Sequence, residues 1–256
     1  MPIQLPTQIS EPKTSITEFT TLIYGPPKIG KSTFCSHAEN TLFIATEPGL
    51  NHLKVYQTPC GSWSDFLEIC KLLAAGKHNF KTVVIDTIDN LAAFCQDHTV
   101  RKLGIEHPSD LGYGKGWDTI TTRLHRALTY LAMLPYGLLM ISHSKEKEVK
   151  TRTGKMPKIA PTLSGKVLEV VTNLVDFYLY ADVEDVLDED NHIIGSQRVL
   201  HCQPTTMYDC GNRSQFEIPD PLPLDYNAFV KALAERKPKQ ISTTIVDTST
   251  LKGGSK

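Results

Sequence analysis

Thr20-Thr21-Leu22-Ile23-Tyr24-Gly25-Pro26-Pro27-Lys28-Ile29-Gly30-Lys31-Ser32 is the stretch that decides the fold. Its last eight residues, Gly25 to Ser32, satisfy the pattern G-x-x-x-x-G-K-[ST] at every fixed position. The apolar run from Thr20 to Tyr24 reads as a short buried strand, and a helix is expected from near Gly30 to about Glu39. Strand, glycine-rich turn and helix in that order are what a phosphate cradle needs. Glycines let the backbone wrap an anion with its N–H groups pointing inward. The helix that follows aims the positive end of its dipole at the same anion. Lys31 is expected to reach the β and γ phosphates, and the Ser32 hydroxyl to ligate Mg²⁺. The expected nucleotide contacts therefore run through Gly25, Pro26, Pro27, Lys28, Ile29, Gly30, Lys31, Ser32 and Thr33, and the expected ligand is ATP with Mg²⁺.

Outward from this segment, apolar runs alternate with helical periodicity. Thr41 to Thr46 and Thr82 to Ile85 read as strands, as does Gly137 to Ser142. Ser64 to Ala75 reads as a helix, as do the stretch up to about Leu103 and Trp117 to Leu134. Strands that alternate with helices imply crossover connections and a mostly parallel sheet flanked by helices, an α/β fold. Gly104 to Gly116 and the polar stretch Ser144 to Ser164 read as loops. Leu174 to Val183 and His192 to Gln203 flank the turn signal Asp188–Asn191 and suggest an antiparallel hairpin extending the sheet. A last helix is expected from Tyr226 to Arg236. This divides the chain into a flexible lead-in (1–18), an ATPase domain (19–236) and a disordered tail (237–256).

Composition narrows the function classes. The chain has 256 residues, 40% of them hydrophobic, enough for one α/β core. The formal net charge of −1 means that any polyanion site must come from local clustering. No run of about 18 apolar residues suggests a membrane span. The start MPIQLPTQISEPKTS has neither a basic end nor an apolar centre, so a cytoplasmic protein is expected. None of the six cysteines has C-x-x-C spacing. Reduced, buried thiols are the expected state, although Cys202 and Cys210 lie near His201.

Three further positions belong beside the phosphate segment. Val83-Val84-Ile85-Asp86 is an apolar strand ending in the carboxylate expected to share the Mg²⁺ with Ser32. Thr87 stands where many P-loop ATPases carry a catalytic Glu. A different carboxylate, Glu47, follows Leu42-Phe43-Ile44-Ala45-Thr46. The tips of parallel strands share one edge, so Glu47 is placed to face the γ phosphate and orient a water. Ser142 and His143 end the fourth strand and are candidates to sense the same phosphate.

The combination GPPKIGKS, FIATEPG, TVVIDTIDNL and MISHSKE resembles the RecA-type ATPases. More narrowly it is similar to the phage nucleotide-binding proteins of the AAA class, which include RecA-like single-strand annealing proteins. The resemblance covers about residues 20–235. It implies a RecA-like P-loop fold, Glu47 as the water-orienting catalytic residue beside Lys31, and ATP hydrolysis stimulated by DNA. It departs from the family where Ser142-His143 replaces the usual amide pair.

The resemblance also implies phage-type recombination on single-stranded DNA, by annealing or strand pairing, in a homo-oligomeric ring or filament. A single-strand-binding protein is a further expected partner. Lys145, Lys147, Lys150, Arg152, Lys155 and Lys158 form the strongest basic cluster and are the candidate DNA contacts, through salt-dependent phosphate binding. Arg101, Lys102, Tyr113, Lys115 and Trp117 mark a second candidate DNA loop. Arg213 and Lys166 are candidates for a cation supplied in trans to a neighbouring subunit's phosphate. Two other classes stay open: a P-loop kinase for a nucleoside or small metabolite, and an ATP-dependent switch or loader that binds a protein.

Overall fold

The computed structural model describes residues 5–9, 13, 15–151, 154–213, 216–235 and 237–238. A short 3-10 turn, Ile16–Glu18, opens the fold. Ser15 caps it and Ile16 is buried, so the folded part begins before residue 19. The chain then runs β1 (Thr20–Gly25), α1 (Lys31–Ser36), β2 (Thr41–Ala45), β3 (Tyr56–Pro59), α2 (Trp63–Ala74), β4 (Thr82–Asp86), α3 (Ile88–Leu103) and α4 (Lys115–Ala132). After these come β5 (Gly137–Thr151), β6 (Gly154–Pro161), α5 (Gly165–Leu174), β7 (Phe177–Leu187) and β8 (Ile193–His201). The last elements are β9 (Gly211–Asn212), β10 (Phe216–Glu217), β11 (Leu222–Pro223), α6 (Tyr226–Ala234) and β12 (Lys237–Pro238).

The main sheet has the order β11-β8-β7-β1-β5-β4-β2-β3. From β7 to β3 every neighbour is parallel, and β8 and β11 extend the sheet antiparallel. β5 lies between β1 and β4, so one strand separates the glycine-rich turn from Asp86, as in RecA-like folds. Successive side chains of the central strands enter opposite cores, because a strand alternates faces. Leu22, Val83, Ile85, Leu138 and Met140 pack under α2 to α5. Ile23, Val84, Leu139 and Ile141 pack under α1 and α6. All six cysteines are free and buried.

Three sequence expectations are corrected, and one strand, β3, had no expectation. Ser144 to Ser164 is not a loop: β5 continues past the sheet to Thr151 and returns as β6 in an antiparallel ribbon. Its lysines and glutamates leave no continuous apolar face, so alternation gave no strand signal. Leu174 ends helix α5, whose Val167 and Val171 are buried, and the strand begins at Phe177. β3 is an exposed edge strand with no apolar pattern. Lys237–Pro238, placed in a disordered tail, pair with Phe216–Glu217, and the tail's remaining residues lie outside the described ones.

Candidate nucleotide site

The parallel strands end on one edge, and the site is built there. Gly25 faces His143 in the β1–β5 register, while Asp86 faces both Ala45 and Ile141. Gly25 has to be glycine, because a Cβ would lie 2.3 Å from the Ala181 carbonyl oxygen. Gly30 has φ 117°, a conformation side chains disfavour. Buried Ile29 anchors the loop in the α1-side core, whereas Pro27, Lys28 and Thr33 are exposed. Lys31 begins α1 and is only 5% exposed. Its ammonium donates to the carbonyls of Gly25 (2.8 Å) and Pro26 (2.7 Å). Burial lowers its pKa to about 8, against the opposing pull of Asp86, Asp89 and Glu47.

Ser32 Oγ donates to Asp86 Oδ2 at 2.7 Å. The pair joins the start of α1 to the tip of β4, and both donors are hard oxygens of the kind Mg²⁺ selects. Burial, above all, raises the Asp86 pKa, with Glu47 adding to it and the Ser32 hydrogen bond opposing. Among the described residues no cluster of three or more His, Cys, Asp or Glu could hold a metal. The donor set therefore fits an ion whose remaining ligands are phosphate oxygens and water. Buried Thr87 Oγ1, next in the chain to Asp86, has no hydrogen-bond partner among the described residues, which leaves a polar atom beside this donor pair.

Glu47 is fixed from two sides. Asn90 Nδ2 donates to its Oε2 at 2.9 Å, and His143 Nε2 lies 3.7 Å from its Oε1. The tip of β2 is stapled to that of β4, since Thr46 Oγ1 accepts from Thr87 N–H (2.6 Å) and donates to Thr87 C=O (3.0 Å). Asp89 in α3 accepts from Ser142 Oγ (3.0 Å), His143 N–H (3.3 Å) and Thr162 Oγ1. It thereby ties the helix after Asp86 to both strands of the β5–β6 ribbon. Asn90, Asp89 and Thr162 were missed from sequence. The first two had a signal, being three and four residues after Asp86 in the first turn of the next helix. Thr162 had none.

A fourth missed residue is Arg198 on β8. Its Nη1 would stand 3.5 Å from a Cβ on Gly30, and among the described residues its guanidinium makes no hydrogen bond or ion pair. The other basic candidates sit differently. Arg213 follows β9 and lies beside the start of β7, at the sheet edge opposite the glycine-rich loop. Its N–H bonds Asp176 C=O and its guanidinium the Asn173 carbonyl. Lys166 pairs with Asp118. On the ribbon, Lys147 and Lys158 share Asp209, Lys155 pairs with Glu148, and Lys145 donates to Thr162 C=O. Arg152 lies outside the described residues. In the other candidate DNA loop Tyr113 is fully exposed, but Trp117 is half-buried against the core.

A mostly parallel sheet with β5 between the P-loop strand and the Asp86 strand, carrying Lys31, Ser32 and Asp86 on one edge, defines a RecA-like P-loop nucleotide-binding domain. The model of an AAA-domain family matches residues 17–214, and the chain belongs to that family. Among solved structures, a KaiC-like protein from the hyperthermophilic archaeon Pyrococcus horikoshii is similar, at 17% identity and a TM-score of 0.43. The match covers 79% of this chain and 87% of that one. No curated protein matches the chain. No helix among the described residues is long and apolar enough to cross a membrane.

Proposed function

We propose that this protein hydrolyses ATP and uses the cycle to act on single-stranded DNA, by annealing or strand pairing in phage-type recombination, as a homo-oligomer. The observation that carries the hydrolytic part is Glu47, a carboxylate held by Asn90 on the same strand edge as Lys31, Ser32 and Asp86. A residue there holds a water for in-line attack on the γ phosphorus. The water oxygen bonds to phosphorus, the bond to the β–γ bridging oxygen breaks, and Glu47 accepts the water's proton. Lys31 exchanges the Gly25 and Pro26 carbonyls, which only partly offset the cost of its buried charge, for anionic phosphate oxygens. Ser32 and Asp86 would hold Mg²⁺, which would supply charge neutralisation on the phosphates. Arg198 adds a cation from the chain's own β8.

The DNA part is supported by the Asp89 tether. Glu47, Asn90, Asp89 and His143 are neighbours, and Asp89 holds the base of a ribbon that carries six basic residues in sequence. Loss or gain of a γ phosphate beside Glu47 and His143 thus has a short mechanical route to that ribbon. The test is ATP hydrolysis with and without single-stranded DNA, for the wild type, Lys31→Ala and Glu47→Gln. The reading requires stimulation by DNA, loss of hydrolysis in both variants, and retained ATP binding in Glu47→Gln. A hydrolysis rate that ignores DNA, with no DNA binding at low salt, would falsify the recombination role.

A further inference from the structure

Away from the phosphate site, a groove runs between α2, α3 and α4. α3 presents His98, Arg101 and Lys102 at positions i, i+3 and i+4, and α4 presents Arg123 and Arg126 one turn apart. Two cavities, of about 660 and 610 Å³, meet here and share Trp63, His98 and Lys102 as walls. Among the described residues, the side chains of Arg101, Lys102, Arg123 and Arg126 make no hydrogen bond or salt bridge. Of the acidic residues on the walls, Asp118 is already engaged by Lys166, which leaves Asp97. Burial lowers the His98 pKa, and Arg123, Lys102 and Arg101 lower it further, so these charges converge. Clustered like charges work against the fold unless an outside anion relieves them.

The β5–β6 ribbon is the reverse case. Lys147, Lys155 and Lys158 are in ion pairs and Lys145 is bonded to a carbonyl, which leaves Lys150 as the unengaged lysine among those described. We propose that the α2–α3–α4 groove, more than the ribbon, seats the sugar-phosphate backbone of single-stranded nucleic acid. The inference rests on the DNA reading above and assigns it a surface. Two adjacent cavities with shared walls suit a linear polyanion better than one phosphate, and half-exposed Tyr130 offers a ring on which a base stacks.

The test is fluorescence anisotropy of the full chain with a short labelled single-stranded DNA across a salt series. Its variants are Arg123→Ala/Arg126→Ala, Arg123→Lys/Arg126→Lys and Lys150→Ala/Lys155→Ala, each checked for its thermal unfolding midpoint. The alanine pair should lose roughly tenfold or more in affinity, and its salt slope should fall by about 1.4, or about 0.7 per lost contact. The lysine pair should keep most of both. Wild-type binding by the alanine pair, with the loss falling on Lys150→Ala/Lys155→Ala, overturns the groove and leaves the DNA reading standing. A poly-glutamate peptide that competes as well as the oligonucleotide makes the groove an acidic-protein site and overturns the nucleic-acid assignment. A wild type that does not bind the DNA at low salt overturns the DNA reading and the groove together.

Discussion

Lys31 is a buried cation whose partners in this state are backbone carbonyls. Its pKa falls from 10.5 unfolded to about 8 folded, so between those values the folded chain binds fewer protons. Stability of the nucleotide-free protein should therefore rise from pH 8 to about 10.5, as the cost of the buried charge disappears. Nucleotide affinity should move the other way, because phosphate needs the protonated form. Above pH 8 it should fall by up to about tenfold per unit, with one proton taken up on binding. Calorimetric titrations with ATP at several pH values check this, and Lys31→Arg should flatten the profile. Arg198 makes a different prediction. Arg198→Ala removes a charge with no hydrogen-bond or ion-pair partner among the described residues, so its unfolding midpoint should stay close to wild type while ATP and ADP bind roughly tenfold more weakly. Unchanged nucleotide affinities would remove Arg198 from the site. Glu47→Gln keeps the shape and the Asn90 contact but cannot accept a proton. Its kcat should fall about a hundredfold or more with little change in KM, measured by phosphate release.

Among the elements, α3 and the β5–β6 ribbon form the coupled pair. Asp89 collects three donors from the ribbon's base, so Asp89→Ala leaves Ser142 and Thr162 without that partner while sparing Lys31, Ser32 and Glu47. The expected result is an ATPase within a few-fold of wild type without DNA and a loss of most DNA stimulation. Stimulation that survives would mean that the ribbon is not the coupling element. The same region shows what a sequence carries. Gly25 to Ser32, Asp86 and Glu47 were legible because strand, turn and tip residues occupy fixed local spacings, and the parallel sheet brings them to one edge. The ribbon was not legible, because Lys147 and Lys158 both reach Asp209, a partner more than 50 residues away in sequence. Arg198 was hidden for the same reason: only the β7–β8 pairing sets it beside Gly30.

For the molecule as a whole, the sheet separates two cores, and the nucleotide site depends on the one under α1 and α6. α1 is only six residues long, too short to hold itself, yet it presents Lys31 and Ser32. It is held by Phe34, whose ring lies 5.6 Å from Tyr226 and 6.0 Å from Phe229, both in α6. α6 falls after residue 214, where the family match ends, so this prop comes from outside the matched region. Phe229 is fully buried and also meets Phe177 edge-on at 5.6 Å. Phe229→Ala should cost about 3–5 kcal/mol of stability through the cavity it leaves. It should also weaken ATP binding, because α1 loses the surface that orients it. Nucleotide should in turn report on this core. ATP at about 100 times its Kd adds about 2.7 kcal/mol. In a chain of this size that is a rise of roughly 5–10 °C in Tm. Differential scanning fluorimetry with ATP and Mg²⁺ should show that rise for the wild type, none for Lys31→Ala, and a smaller rise at equal ATP for Phe229→Ala. A full rise in Phe229→Ala, from its lower starting Tm, would mean that α1 is positioned without α6 and that the two are linked only through global stability.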